Sequence, residues 1–319
     1  MRAMVCHRLS PSREGLIFEA NWPEPLPPEV GEITVAISHA ALNYPDLLML
    51  SGGYQFAPSL PFVPGVEGVG VVIAIGFGVD PSMLGRDVIV SARCGLFAER
   101  ITVAIDAVRR RPVGLSPPAA AAFTVAALTA YVALVRRGCL ASGDRVLVVG
   151  AGGGTGLAAI AMAKALGATV VAMASTAAKV GAALAAGADE VHVVPRGASL
   201  PMIETVDIIF DPVGGSAVAD LLALLDHGGR YLVVGFVGGI PSLSFGAIAG
   251  SSVEVIGVRA GEYARRDPTG GLANLAAIDD LAPALEPQIG LTVALADADI
   301  AFDAMAAGTL IGKAVIVCG

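Results

Sequence analysis

Between Asp144 and Lys179 the chain reads DRVLVVGAGGGTGLAAIAMAKALGATVVAMASTAAK, and few folds accommodate such a run. An apolar strand, Arg145–Val149, enters the turn Gly150-Ala151-Gly152-Gly153-Gly154-Thr155-Gly156. A helix follows at once through Leu166, and a second apolar strand spans Thr169–Ala174. Glycines at such a turn let the backbone approach a pyrophosphate, whose charge sits on the free N–H groups of the helix start. The spacing is A-x-G-x-x-G over Ala151, Gly153 and Gly156, so alanine holds the first position of the usual dinucleotide fingerprint. The strand before and the helix after supply the context that this pattern requires. Gly153, Gly154 and Thr155 are therefore expected to hold a dinucleotide. An ATP-type phosphate loop is excluded, because no Gly-Lys-Ser/Thr follows.

The end of the second strand decides which dinucleotide. An NAD site places a carboxylate there, about 20 residues past the glycines, to accept from the ribose 2′-OH. No Asp or Glu occurs between Asp144 and Asp189. The strand ends instead in Ala174-Ser175-Thr176, with Lys179 one helical turn on. Hydroxyls and an ammonium suit a 2′-phosphate, which a carboxylate would repel. Ser175, Thr176 and Lys179 thus point to NADPH. The plainer alternative makes Ser175 or Thr176 a helix N-cap and Lys179 a surface lysine.

The same alternation continues toward the C-terminus. Apolar strands Glu190–Val194, Val206–Phe210, Arg230–Val234 and Val253–Val258 follow, separated by alanine-rich helical segments, as in a parallel sheet covered on both faces. Before Pro117-Pro118 the texture differs. Strands are predicted at Glu32–Ala40, Glu67–Ile75, Arg86–Val90 and Arg100–Val103, punctuated by Pro and Gly, which fits a compact β-rich domain. The tail reads as a helix, Asp297–Ala307, and a strand, Lys313–Val317. A length of 319 residues exceeds what one core usually serves, so two domains are expected.

Composition closes off other classes. Hydrophobic residues make up 55% of the chain and charged ones 15%, which describes a packed globular protein. A formal net charge of −8 leaves no basic footprint for nucleic acid. The run Ala119–Val135 is apolar, but it is largely alanine and falls short of about 20 strongly apolar residues, so it reads as a buried core helix. The N-terminal MRAMVCHRLS has no apolar h-region, and no signal peptide is expected. Cys6, Cys94, Cys139 and Cys318 are far apart and form no CxxC pair, so reduced cytoplasmic thiols are expected.

Several motifs in order give the chain a resemblance. They are Leu42-Asn43-Tyr44-Pro45-Asp46, Gly53-Tyr54, Leu60 to Gly68 (LPFVPGVEG), Phe97-Ala98-Glu99 and Leu128-Thr129-Ala130-Tyr131. The glycine-rich turn, Ser175-Thr176 with Lys179, Asp211 to Gly215 (DPVGG), Gly228-Gly229-Arg230 with Gly235, and Gly312-Lys313 complete the set. Together they resemble the quinone oxidoreductases of the zinc-independent medium-chain dehydrogenase/reductase superfamily. The resemblance implies an α/β protein with a GroES-like β-rich catalytic domain, residues 1–118 and 257–319, and a Rossmann doubly wound parallel-sheet domain, residues 119–256. It further implies an active site in the cleft between them, a small quinone or enone substrate, no membrane partner and a homodimer. Thr129, Gly235, Phe236 and Arg259 would line the nicotinamide pocket, with Lys313 on a strand near the cofactor and Tyr54 a further cofactor contact. Where similar proteins carry an aromatic residue near the adenosine, this chain has Val194, with Arg196 the candidate electrostatic substitute.

Zinc alcohol dehydrogenases of the same superfamily place a Cys where this chain has Asn43 and a His where it has Val66, and their third ligand falls near Val125. None of these is a plausible zinc ligand. His7, His39, His192 and His227 show no ligand spacing, so no metal is expected. Polarising a carbonyl then falls to hydrogen-bond donors. Asn43 and Tyr54, in the motifs that match the family's active-site loops, are the expected catalytic pair. Asp46 fits the family pattern and also an ordinary helix start. The expected reaction is hydride transfer from NADPH to a quinone; an enoyl or alkenal double-bond reductase is the alternative, and a non-catalytic NADPH-binding protein a third.

Overall fold

In the computed structural model, which describes residues 1–319, the chain divides into two units: Met1–Val125 with Gln288–Gly319, and Ala126–Pro287. The second unit holds a six-stranded, wholly parallel sheet. Its order is Glu190–Val193, Thr169–Ala174, Arg145–Val149, Val206–Asp211, Leu225–Val233 and Glu254–Gly257. In chain order that is 3-2-1-4-5-6, the doubly wound Rossmann arrangement. Val146, Leu147 and Val148 are all fully buried although successive side chains point to opposite faces, so both faces are covered. The helix Gly154–Ala165 packs on the first two strands of the unit, burying Gly156, Ala159 and Ala163. Such small residues let it approach closely.

The first unit is β-rich, the GroES-like half of the fold. Glu32–Ala41 is its central strand: one edge pairs along Glu67–Ile75, while the other is shared by Arg100–Ala104 and the tail strand Lys313–Val317. Beyond these, Ile289–Ala294 pairs parallel with the tail strand, and Asp87–Ser91 and Val108–Arg110 extend the opposite side. A hairpin of Ala3–Cys6 with Leu16–Glu19 is tied on by bridges from Ala3 to Ala98 and Cys6 to Phe62. Val35, Ile37, Leu42, Leu50 and Phe97 lie in the core, and the Phe97 and Phe302 rings meet edge to face at 5.9 Å.

Three expectations are corrected here. The second unit extends to Pro287 and does not end at 256. The helix Pro268–Asp280 packs on Ala260–Arg266, and its buried Asn274 accepts from Arg136 Nε at 2.7 Å inside the same unit. The first boundary moves from 118 to 125, because the short helix Pro117–Ala121 packs on Glu32–Ala41 and Glu67–Ile75. The apolar run Ala119–Val135 is not one helix either. It breaks after Ala121, resumes over Thr124–Tyr131 and widens into a π-helical turn at Val132–Arg137. No helix of the chain is long and apolar enough to cross a membrane.

Candidate functional site

The glycine-rich turn shows why alanine stands at its first position. The residue that needs a positive φ is Gly150, at +64°; Ala151 stays in ordinary backbone and donates to Met173 O at 3.0 Å. Its methyl is fully buried. Gly153 donates to Gly150 O at 3.1 Å and caps the helix, and the first bond of that helix runs from Leu157 N to Gly153 O at 2.9 Å. The N–H groups of Gly154, Thr155 and Gly156 precede it, as an anion-binding helix start requires. A Cβ on Gly156 would stand 2.5 Å from Gly150 O and 2.9 Å from Ala151 Cα, so only glycine lets helix and strand meet there.

Lys179 folds onto this turn. A Cβ on Gly152 would lie 2.4 Å from Lys179 Cβ. Thr176 caps the helix Ala177–Ala185, its Oγ1 accepting from Lys179 N at 3.3 Å, so the N-cap reading of Thr176 holds. Ser175 is half-buried beside Thr176. Burial, and then the charge of Arg196, hold the Lys179 ammonium pKa below the ordinary lysine value.

At the next strand end, buried Asp211 organises the loop Pro212 to Gly215. Its carboxylate accepts from Val213 N at 2.6 Å, from Gly214 N at 3.0 Å, and from the Tyr231 hydroxyl. Gly238 N to Val213 O at 2.7 Å and Gly215 N to Gly239 O at 2.8 Å bind this loop to the segment carrying Gly235 and Phe236. Burial and the neighbouring Asp211 charge push the Tyr231 hydroxyl pKa far up. Neither Asp211 nor Tyr231 was singled out from the sequence as the organiser of this loop. An acid closing an otherwise apolar strand is the signal that could have found them. Phe236 is 43% exposed, Thr129 is half-buried on its helix, and Arg259 is exposed with Glu262 at 3.9 Å.

Asn43, Tyr54 and Lys313 lie in the first unit, where a buried polar cluster forms. Lys313 Nζ donates to Asn43 Oδ1 at 2.6 Å and to Glu67 Oε1 at 2.9 Å. Asn43 Nδ2 donates to the same Glu67 oxygen at 2.9 Å and to Ala41 O at 3.1 Å. Glu67 Oε2 accepts from Val125 N at 2.8 Å, in the first turn of the helix Thr124–Tyr131. Asp46 accepts from Asn43 N at 2.9 Å and Gly65 N at 3.0 Å. Burial pushes its carboxyl up to about 7, against the pull of those two N–H groups and of Lys313.

This geometry bears on two of the expected site residues. Both N–H bonds of the Asn43 amide are spent, on Glu67 and Ala41, so in this arrangement it holds its neighbours in place and presents no free donor. Lys313 is the counter-ion of Glu67 inside the first unit, and two of the three N–H bonds of its ammonium are spent, on Asn43 and Glu67. Tyr54 stands differently. It packs half-buried on the core just after the helix Tyr44–Ser51, and no group of the chain engages its hydroxyl.

Known proteins agree with this layout. Residues 29–141 match the alcohol dehydrogenase GroES-like domain family, and residues 154–277 the zinc-binding dehydrogenase family. Quinone oxidoreductase-like protein 2 of Bos taurus is 32% identical over 274 residues, spanning 83% of this chain and 77% of that protein. Prostaglandin reductase-3 of Bos taurus is 31% identical over 249 residues, spanning 75% of this chain and 64% of that protein. The quinone oxidoreductase of Thermus thermophilus, whose structures include a complex with NADPH, superposes with a TM-score of 0.81 at 33% identity, covering 99% of this chain and 100% of that one. With the strand order, the glycine-rich turn and the shared length all in agreement, the chain belongs to the quinone oxidoreductase family of the medium-chain dehydrogenase/reductase superfamily.

Proposed function

We propose that this chain is an NADPH-dependent oxidoreductase that passes hydride to a quinone or similar conjugated carbonyl without a metal. One observation carries the reading: a carboxylate-free strand end, Ser175-Thr176, with Lys179 packed on the glycine-rich turn. The N–H groups of Gly154 and Thr155 would receive the pyrophosphate, and Ser175, Thr176 and Lys179 the 2′-phosphate. Thr129, Gly235, Phe236 and Arg259 remain the residues proposed for the nicotinamide end. When bound, NADPH supplies the hydride. The chain's own task is to orient the acceptor and stabilise charge developing on its oxygen, and Tyr54 Oη is the donor proposed for it.

The donor set does not fit zinc. Val66 and Val125 offer no ligand atom, and the Asn43 amide is committed within the protein. No three His, Cys, Asp or Glu side chains converge anywhere in the chain. The matched zinc-binding dehydrogenase segment, residues 154–277, does not include these positions. Four free cysteines suit the cytoplasm, and a homodimer stays part of the proposal, to be read by light scattering.

A second reading, an enoyl or alkenal reductase, is favoured by the likeness to a prostaglandin reductase. The test is a steady-state panel following NADPH loss with quinones, enals and enoyl thioesters, before and after dialysis against a chelator. Turnover of quinones that survives dialysis is expected. Preference for an enoyl thioester would favour the second reading, and a requirement for stoichiometric zinc would overturn the metal-free mechanism.

A further inference from the structure

The strand Glu190–Val193 runs parallel beside Thr169–Ala174, with Val193 level with Ala174 and Val194 N donating to Ala174 O at 2.8 Å. The chain leaving it therefore emerges next to Ser175 and Thr176, at the carboxyl end of the sheet where nucleotides bind. It turns at once. Ala198 N donates to Pro195 O at 3.0 Å, and Gly197 has φ +77°, which defines a type II turn with Arg196 at its first central position. Backbone geometry thus fixes where Arg196 starts, and its side chain is exposed.

Lys179 approaches the same place from the other side, packed on Gly152 of the glycine-rich turn. The two cations are close enough for Arg196 to disfavour the charged form of Lys179. Nothing acidic lies between residues 191 and 203, nor between Asp144 and Asp189. Like charges held together beside a nucleotide site repel, and a dianion placed between them relieves that repulsion.

We propose that Arg196 is a second cation of the 2′-phosphate site, gripping the phosphate together with Lys179 and setting the preference for NADPH over NADH. This rests on the NADPH reading above. A guanidinium presents two parallel N–H donors in a rigid plane that matches two phosphate oxygens, a fork that an ammonium lacks. The phosphate therefore sits between a fork on the turn and a charge on the helix.

Binding of 2′,5′-ADP and 5′-AMP, alongside NADPH and NADH, is measured by calorimetry for the wild type, Arg196→Ala and Lys179→Ala. Arg196→Ala should weaken 2′,5′-ADP and NADPH about tenfold, leave 5′-AMP and NADH within about twofold, and keep the wild-type unfolding midpoint. The loss should shrink as salt rises. Equal weakening of 2′,5′-ADP and 5′-AMP would overturn the proposal, because Arg196 would then serve the adenine or the loop. Unchanged 2′,5′-ADP binding in Arg196→Ala, with a loss in Lys179→Ala, would overturn it too while leaving the NADPH reading intact. Should the wild type itself bind 2′,5′-ADP no more tightly than 5′-AMP, the NADPH reading falls and this proposal with it.

Discussion

Asp46 is the residue whose surroundings conflict most. Two backbone N–H groups favour its ionised form, yet complete burial raises its pKa to about 7. An unfolded chain would titrate this carboxyl near about 3.9. The folded state thus holds the proton more tightly, and the stability Asp46 contributes is full below about pH 4 and lost as pH rises to about 7. The difference in unfolding free energy between the wild type and Asp46→Asn should fall through that window and level off above it. A difference that rises with pH would contradict this account. Asn also turns an N–H toward Asn43 N or Gly65 N, a cost of about 1–3 kcal/mol in chemical denaturation. Tyr54 is the donor proposed to act in catalysis. Losing one donor to a developing oxyanion costs about 100- to 1,000-fold where measured, and an electrophilic quinone should sit at or below the low end. Tyr54→Phe should lower kcat accordingly, more for an enone, with NADPH affinity unchanged. Full activity in Tyr54→Phe with lost NADPH binding in Tyr54→Ala would make it a wall of the cofactor site. The sequence placed Asn43 in a motif but showed nothing of its partners, because hydrogen bonds to Ala41 and Glu67 leave no mark on a linear spacing.

Among the elements, the strands Glu67–Ile75 and Lys313–Val317 are joined by a buried ion pair. Glu67 is wholly buried and Lys313 is 6% exposed. Removing one partner strands the other charge, which costs about 3–5 kcal/mol, whereas removing both is far milder. Lys313→Met should therefore destabilise by about that amount, and adding Glu67→Gln should recover much of it in a double-mutant cycle. Additive losses would show that the pair is not coupled. One lone acid and one lone base on otherwise apolar strands were legible as oddities, and burial forces such charges to pair. Which charge met which depended on the tail strand reaching Glu32–Ala41, a contact of high sequence separation. The glycine-rich turn was the opposite case. Gly150, Ala151 and Gly156 act within a few residues of one another, so their spacing alone located the turn.

For the molecule as a whole, the Rossmann sheet was readable because its strands are apolar throughout and alternate with helices. Arg145–Val149, Thr169–Ala174 and Lys313–Val317 fall at their expected bounds. The boundary near 257 was misplaced, since the helices Ala260–Arg266 and Pro268–Asp280 carry no periodic signal that assigns them to one core or another. The strand Ile289–Ala294 escaped because Gly290 and Thr292 interrupt its apolar residues, and its side chains are only alternately half-buried. Acceptor identity was not legible, because conjugated carbonyls ask for few fixed polar contacts. The proposed cofactor was, through a missing carboxylate. The central claim is tested most directly by kcat/KM for NADPH and NADH with one quinone acceptor. Losing a charged phosphate contact costs about 1.5–3 kcal/mol, so NADPH should be favoured at least about tenfold; equal use of the two cofactors would contradict the account.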